Sequence, residues 1–217
     1  MPEDEEEVAS YRCPACEATL FGWNAARHPV DGSKLILDRC ESCGLVVTRA
    51  PAPPDVAAEL ARLERRGDLL IAANRSSLQG GLGGAQWAGL EPEARRLHLT
   101  LRAAKLLLRR QGVELIDHRT PYSRRSFRLM LQTLINAFTL KDNFRDNARA
   151  GRLARSSRRE KLAYALDMTV TYVLMIPLSI VAAPTELLGS AMGRGGLMEL
   201  RTAPTAAAAA EVEGERG

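Results

Sequence analysis

Aromatic residues and histidines are scarce in this chain. Phenylalanine, tyrosine and tryptophan make up 5% of its 217 residues, and there are only three histidines. Because nucleic-acid-binding surfaces commonly interleave basic and aromatic side chains, this scarcity disfavours nucleic acid as a partner. His28, His98 and His118 lie far apart in the sequence, so no serine–histidine–aspartate or cysteine–histidine catalytic arrangement is indicated.

The chain also lacks the basic and then apolar N-terminus that is typical of secreted proteins. It begins Met-Pro-Glu-Asp-Glu-Glu-Glu, and we expect residues 1–10 to form a disordered acidic leader. Cysteine occurs at only four positions, all of them in a metal-binding pattern. This usage predicts a reducing, cytoplasmic setting, with any membrane contact made peripherally at the inner face.

The four cysteines form two CxxC pairs, Cys13 with Cys16 and Cys40 with Cys43. Two such turns, brought together by the loop between them, are typical of a tetrahedral zinc ion held by four thiolates. Because four thiolates leave no open coordination position, the predicted zinc is structural rather than catalytic. Gly44 suits the left-handed backbone position that follows such a turn. Disulfides are the alternative, which the acidic N-terminus disfavours.

Around these cysteines we expect a zinc ribbon over 11–49, with short strands at 35–37 and 45–47 and a hairpin in the intervening loop. A stiff proline-rich linker follows at 50–54. The remainder divides into a region over 55–120, a helical region over 124–200 and a low-complexity, disordered tail over 201–217.

Hydrophobic periodicity and glycine positions predict the elements between the linker and the C-terminal part. These elements are, in order, a helix over 55–66 stopped by Gly67, a buried parallel strand over 68–74, a glycine-rich loop over 75–98, a helix over 100–111 capped by Thr100, a strand over 113–117 and a helix over 124–147. Two strands do not form a stable open sheet alone. We therefore expect the C-terminal helices, a homo-oligomer or another partner to cover them.

A basic stretch precedes a strongly apolar segment. Residues 102–161 contain 16 lysines and arginines against 5 acidic residues. The apolar segment, 162–192, contains Pro177, which predicts a kinked helix or a helical hairpin broken at that proline. Two interpretations stay open: a helix at an anionic membrane surface, and a core helix of a soluble protein. A true membrane span ranks behind both, because the uninterrupted apolar run is short.

The order of these elements resembles that of zinc-ribbon-bearing class I S-adenosylmethionine-dependent methyltransferases. The residues that carry the resemblance are Ala73-Asn74 at a strand end, Ser76, Ser77 and Trp87 in the following loop, His98, the capped helix from Thr100 to Gly112, and the Gly193–Arg201 segment. The resemblance implies that 55–120 is the C-terminal half of a Rossmann-like domain. It makes His98 the candidate catalytic residue, and S-adenosylmethionine the cofactor of the family.

The cofactor-binding half of that family has no counterpart here. The glycine-rich turn and the acidic residue that hold the cofactor would precede residue 55, where this chain has only its ribbon. The cluster Gly80–Gly84 does not open a helix in the expected way, so no cofactor-binding residue is assigned. We therefore predict a reduced α/β fold: a zinc ribbon, a truncated Rossmann-like remnant and C-terminal apolar helices.

Three functions follow from this reading. The first is a degenerate methyltransferase-like protein, acting on envelope or lipid-linked glycan substrates if it is active, but not active alone. The second is a zinc-ribbon adaptor at a membrane surface or on a complete methyltransferase partner. Nucleic-acid binding, the third, is disfavoured for the reasons above.

Overall fold

Two four-stranded antiparallel sheets and six α-helices make up the described part of the chain, residues 12–28, 33–153 and 155–205 of a computed structural model. The predicted acidic leader lies outside these residues, as does the predicted tail from residue 206 onward. The coarse prediction of a mixed α/β protein is confirmed.

The first sheet contains the ribbon. Its strands are, in spatial order, β1 (Leu20–Arg27), β2 (Lys34–Cys40), β3 (Val46–Thr48) and β6 (Leu97–His98). The predicted strands on either side of the second cysteine pair are confirmed as β2 and β3. The predicted hairpin is also present, since β1 and β2 pair in an antiparallel register. β6 comes from far along the chain and extends this sheet beyond the predicted ribbon.

The second sheet is formed by β4 (Glu64–Arg66), β5 (Leu69–Ala73), β8 (Leu197–Pro204) and β7 (Val113–Arg119), in that spatial order. All of its pairings are antiparallel, so the prediction that β5 is a parallel strand is wrong. β5 and β7 do run in the same direction, but β8 lies between them and pairs with both. An apolar run does not reveal the direction of its partner.

Two further predictions about this region need correction. Helix α1 (Val56–Ala61) begins after the predicted cap, Asp55, but ends before 66, because β4 folds back on β5 through a turn at Gly67. The predicted glycine-rich loop contains helix α2 (Leu78–Gly83), capped by Ser77, and a 3-10 turn at Gly84–Gln86. The Ser77 side chain accepts a hydrogen bond from Gly80 N, and this cap favours a helix despite the glycines that follow.

For the middle helices, the predicted first residues are closer to the observed ones than the predicted last residues are. Helix α3 (Leu101–Arg110) begins at its predicted cap, Thr100. Helix α4 (Arg124–Asn136) ends well before 147, and a turn with a left-handed residue at Asn143 leads into a separate helix, α5 (Phe144–Arg149). The predicted single helix over 124–147 is therefore two helices.

The apolar segment forms one long helix. Helix α6 (Arg158–Ala191) has 34 residues and a capping box made by Ser157 and Glu160. It continues through both Pro177 and Pro184, so the predicted hairpin broken at Pro177 is wrong. The chain then enters β8, so the prediction of a helical region up to 200 is wrong for residues 197–200, and the prediction of a disordered tail from 201 is wrong for residues 201–204.

One hydrophobic core joins the ribbon to the second sheet. It contains Cys13, Cys40 and Cys43 together with Leu107 on α3 and Leu200 on β8. Helix α3 therefore packs between the cysteine turns and the sheet, and the two parts of the protein share their interior.

A buried polar network holds α6 against the rest of the protein. Gln79 Nε2 donates to Glu186 Oε2 at 2.8 Å and to the Ser126 carbonyl at 3.3 Å. Trp87 Nε1 donates to Gln79 Oε1 at 3.1 Å, and Gly196 N donates to Glu186 Oε1 at 2.9 Å. The network connects α2, α4, α6 and the start of β8.

This network leaves no room for a side chain at Gly196. A Cβ there would lie 1.6 Å from Gln79 Nε2, so Gly196→Ala must displace Gln79 and break buried hydrogen bonds. We expect it to lower the free energy of unfolding by about 2–4 kcal/mol in chemical denaturation. Gly81→Ala is the matched control, because nothing lies near an added Cβ in α2. The control should be neutral or stabilising by up to about 1 kcal/mol. Equal effects of the two substitutions would contradict the network.

Candidate metal centre and exposed helix face

The two CxxC turns have the same backbone geometry. Glu17 N donates to the Cys13 carbonyl at 2.8 Å, and Gly44 N donates to the Cys40 carbonyl at 2.8 Å. The residue after each turn has a positive φ, 62° at Glu17 and 74° at Gly44. The prediction for Gly44 is confirmed, while Glu17 adopts a conformation that is unfavourable for a residue with a Cβ.

The four sulfur atoms lie close enough to bind one metal ion. All four are within 4.8 Å of one another, with Cys13 Sγ 3.6 Å from Cys43 Sγ and Cys16 Sγ 3.3 Å from Cys40 Sγ. These separations are well beyond a disulfide bond of about 2.05 Å. Tetrahedral zinc with Zn–S bonds of about 2.3 Å places its sulfurs roughly 3.8 Å apart. The arrangement is therefore compatible with a structural zinc ion.

Three of the four cysteines have shifted pKa values. The hydrogen bond with Cys43 lowers the pKa of Cys13 to about 5, which favours a thiolate there. Burial raises the pKa of Cys40, and the hydrogen bond with Cys13 raises the pKa of Cys43. Metal ligation requires deprotonated cysteines, so binding of a metal ion would release protons from Cys40 and Cys43.

Helix α3 holds one cysteine turn at each of its ends. At its start, Thr100 Oγ1 donates to the Cys43 carbonyl at 2.7 Å and accepts from Ala103 N at 3.1 Å. At its end, Arg110 Nη1 donates to the Pro14 carbonyl at 2.8 Å. The sequence predicts the cap at Thr100. It does not predict the hydrogen bond from Thr100 to the Cys43 carbonyl, which depends on the tertiary structure.

The structure places His98 in the interior. The residue is 3% exposed, and its Nε2 lies 3.0 Å from Thr48 Oγ1. Burial lowers the pKa of His98 to about 3, so its ring is neutral at physiological pH. The catalytic role that the resemblance implies for His98 stays a prediction.

A buried arginine that sequence reasoning missed orders the glycine-rich segment. The guanidinium of Arg75 lies 4.5 Å from the ring centroid of Trp23 and 5.9 Å from that of Trp87. Arg75 Nη1 donates to the Gly80 carbonyl at 2.8 Å, and burial lowers the pKa of Arg75 to about 10. An arginine directly after Asn74 carries no signal in the sequence that distinguishes it from a surface residue.

The inward face of helix α6 is mixed: Met175, Leu178 and Ala182 pack against α4, and polar residues lie beside them. Three of its five buried positions are polar: Asp167, Thr171 and Glu186. Asp167 accepts hydrogen bonds from Leu140 N at 2.7 Å and from Lys141 N at 3.1 Å. Burial raises the pKa values of Asp167 and Glu186.

The opposite face of α6 is apolar and exposed. Ile176 and Ile180 are each 72% exposed. The other large apolar residues of this face are Leu162, Leu166, Tyr172, Val173, Val181, Leu187 and Leu188. We call this set, with the two isoleucines, the apolar face of α6. The helix is long and apolar enough to cross a membrane, and only 17% of its most apolar 18-residue window is buried.

Comparisons of this chain with protein-family models, with curated proteins and with solved structures give no match. The geometry of the cysteine cluster and of α6 therefore carries the functional argument.

The cysteine cluster generates a prediction about metal content. We expect purified protein to hold one zinc ion per chain, and Cys40→Ser to lose most of it, because three thiolates bind zinc more weakly than four. Since the cysteines belong to the core shared with α3, the variant should also unfold at lower denaturant concentration. Ser42→Ala, an exposed change in the same turn, is the control. Full zinc retention in Cys40→Ser, measured by metal analysis, would contradict the assignment of the zinc ion to the four cysteines.

His98 generates a prediction about acid stability. Its pKa is about 3 in the folded protein and 6.5 ordinarily, so below pH 6.5 the unfolded chain binds more protons and stability falls. We expect the wild type to lose roughly 1 kcal/mol per pH unit more than His98→Gln, measured by denaturation at pH 7 and pH 5. The wild type and His98→Gln both contain the cysteine cluster, so any effect of acid on the cluster is the same in the two proteins and drops out of the difference. Identical pH dependence would contradict the buried neutral histidine.

Proposed function

We propose that this protein is a zinc-stabilised adaptor that lies peripherally on an anionic membrane surface and does not catalyse methyl transfer alone. The observation that carries the proposal is the apolar face of α6, which is exposed although the opposite face of the same helix already packs against α4. A surface helix of a water-soluble protein carries polar residues on its outer face. Large exposed apolar surfaces mark sites of contact with a membrane or a protein.

The anchoring of α6 favours a position in the plane of the membrane over a span. At about 1.5 Å per residue its 34 residues extend about 51 Å, far more than the hydrocarbon thickness of about 30 Å. Asp167 and Glu186, toward its two ends, are both buried against the rest of the protein. Contact between α6 and the membrane therefore involves one face of the helix, as in interfacial amphipathic helices.

Basic residues at the start of α6 supply the electrostatic part of the interaction. Arg155, Arg158, Arg159 and Lys161 are all exposed, and Arg155 lies 3.8 Å from the ring centroid of Tyr164. Each basic residue near an anionic surface contributes about 1 kcal/mol of attraction. The attraction orients the apolar face of α6 toward the lipid.

The second sheet keeps part of the element order on which the resemblance to the methyltransferase family rests, namely β5, α3 and β7. β5 and β7 run in one direction, with α3 between them in the chain, and β8 is inserted antiparallel between them. The zinc assigned to the four cysteines supports the fold rather than chemistry, because four thiolates leave no position for a substrate.

Co-sedimentation with vesicles tests the membrane proposal. We expect binding to vesicles of phosphatidylcholine with phosphatidylglycerol that weakens with salt, because the coulombic part is screened, without vanishing. Replacing Arg155, Arg158, Arg159 and Lys161 by glutamate should abolish it. Ile176→Glu with Ile180→Glu should also abolish it, because charges then replace the most exposed part of the apolar face.

The matched control is Phe21→Glu with Ile116→Glu, which places two charges at exposed apolar positions on the sheets. This control should bind vesicles as the wild type does. Equal recovery of the wild type with and without vesicles would overturn the membrane proposal. Calorimetric binding of S-adenosylmethionine at micromolar concentration would overturn the non-catalytic part.

A further inference from the structure

A cavity lined by arginines lies between α4 and α5. Its volume is about 620 Å³. Four arginines line it, Arg124, Arg125 and Arg128 from α4 and Arg145 from α5, together with two acidic residues, Glu91 and Asp146. With all six ionised, the lining carries two more positive than negative charges, so the cavity suits an anion.

The arginines of this cavity are incompletely paired. Arg125 forms a short ion pair with Glu64, and Arg128 Nη2 lies 3.7 Å from Asp146 Oδ1, a loose contact between exposed side chains. Within the described residues, Arg124 and Arg145 have no ion-pair partner at all. Arginines with free guanidinium groups in one cavity are well suited to bind phosphate through paired N–H donors.

An apolar cleft adjoins the arginine cavity. It has a volume of about 280 Å³, and its apolar lining includes Phe144, Tyr164, Met168 and Met175. Arg145 lines both spaces, and its Nη1 lies 3.8 Å from Met175 Sδ. The charged cavity and the apolar cleft therefore meet at one side chain.

The cleft also contains an unpartnered hydroxyl and borders the apolar face of α6. Thr171 is 2% exposed, and its Oγ1 has no hydrogen-bond partner in the part of the chain that the structure describes. A buried hydroxyl without a partner costs free energy, which a ligand oxygen would recover. Tyr172, which lines the cleft as well, belongs to the apolar face of α6.

We propose that these two spaces bind one phosphate-bearing glycerolipid. The phosphate group lies among the arginines, an ester oxygen accepts from Thr171, and an acyl chain occupies the cleft beside Met175. A nucleic acid fits poorly, because the cleft offers apolar walls where a nucleotide presents polar edges. The inference rests on the proposed membrane association, since the lipid comes from the surface that α6 contacts.

Titration of the full-length protein with a soluble short-chain lipid, dihexanoyl phosphatidic acid, tests the site without a membrane. We expect it to bind at least about tenfold more tightly than glycerol 3-phosphate, because burial of acyl methylenes adds to phosphate binding. Arg145→Gln should weaken binding of both compounds about tenfold or more, through loss of a charge-assisted hydrogen bond. Arg109→Gln, an exposed arginine on α3 that lines neither space, should change nothing.

A second variant guards against misfolding of the first. Thr171→Val keeps the shape of the side chain and should weaken the lipid about fivefold, with no effect on glycerol 3-phosphate. Equal affinity for the two compounds would overturn the lipid and indicate a free phosphate compound. Unchanged binding by both Arg145→Gln and Thr171→Val, or no binding by the wild type, would overturn the site.

The membrane proposal and the lipid-site proposal can be overturned independently of each other. The Ile176→Glu, Ile180→Glu variant should lose vesicle binding and keep its affinity for the short-chain lipid. Short-chain lipid binding by a wild type that ignores vesicles would overturn only the membrane proposal, whereas the reverse result would overturn only the lipid site.

Discussion

The carboxylate of Glu186 is buried between the side chain of Gln79 and the backbone N–H of Gly196, and the orientation of α6 depends on this arrangement. A carboxylate placed in the interior must be hydrogen-bonded there, because an unpaired one is too costly. Asp167, nearer the start of the helix, is also buried, and its carboxylate accepts hydrogen bonds from two backbone N–H groups. These two carboxylates, together with Met175, Leu178 and Ala182 packed against α4, define the inward face of α6. The remaining large apolar residues of the helix are exposed on the opposite face.

The cysteine cluster has a comparable role in the other half of the molecule. Its sulfur atoms contribute to the same core as Leu107 and Leu200, and α3 is hydrogen-bonded to both cysteine turns. A ribbon with a small core of its own gains stability from metal ligation and from this packing. The cysteine cluster, α3 and the second sheet thus share one core, so a substitution at the cluster also affects the packing of the sheet.

The sequence predicts local features well and long-range partners poorly. The cysteine pairs, Gly44, the caps Asp55 and Thr100 and the strands β2 and β7 are each determined by neighbouring residues, and each is present. Both antiparallel partners of β5 were missed: β8 comes from much later in the chain, and β4 consists of three charged residues without an apolar strand pattern. Helix ends were missed where a few polar residues decide between continuation and a turn, as at Asn143. The arginine cavity joins side chains from two helices, so no single stretch of sequence indicates it.

The insertion of β8 between β5 and β7 has a consequence for folding. Leu70 pairs with Leu200, a contact that closes a very long loop, and such contacts slow folding because chain entropy is lost before they form. Until β8 is synthesised, β5 and β7 keep unpaired edges and α6 is already exposed. Such an intermediate combines a strand edge with an apolar helix, the features that make partly folded chains aggregate. Early capture of α6 by a membrane would shield one of these surfaces while the sheet is completed.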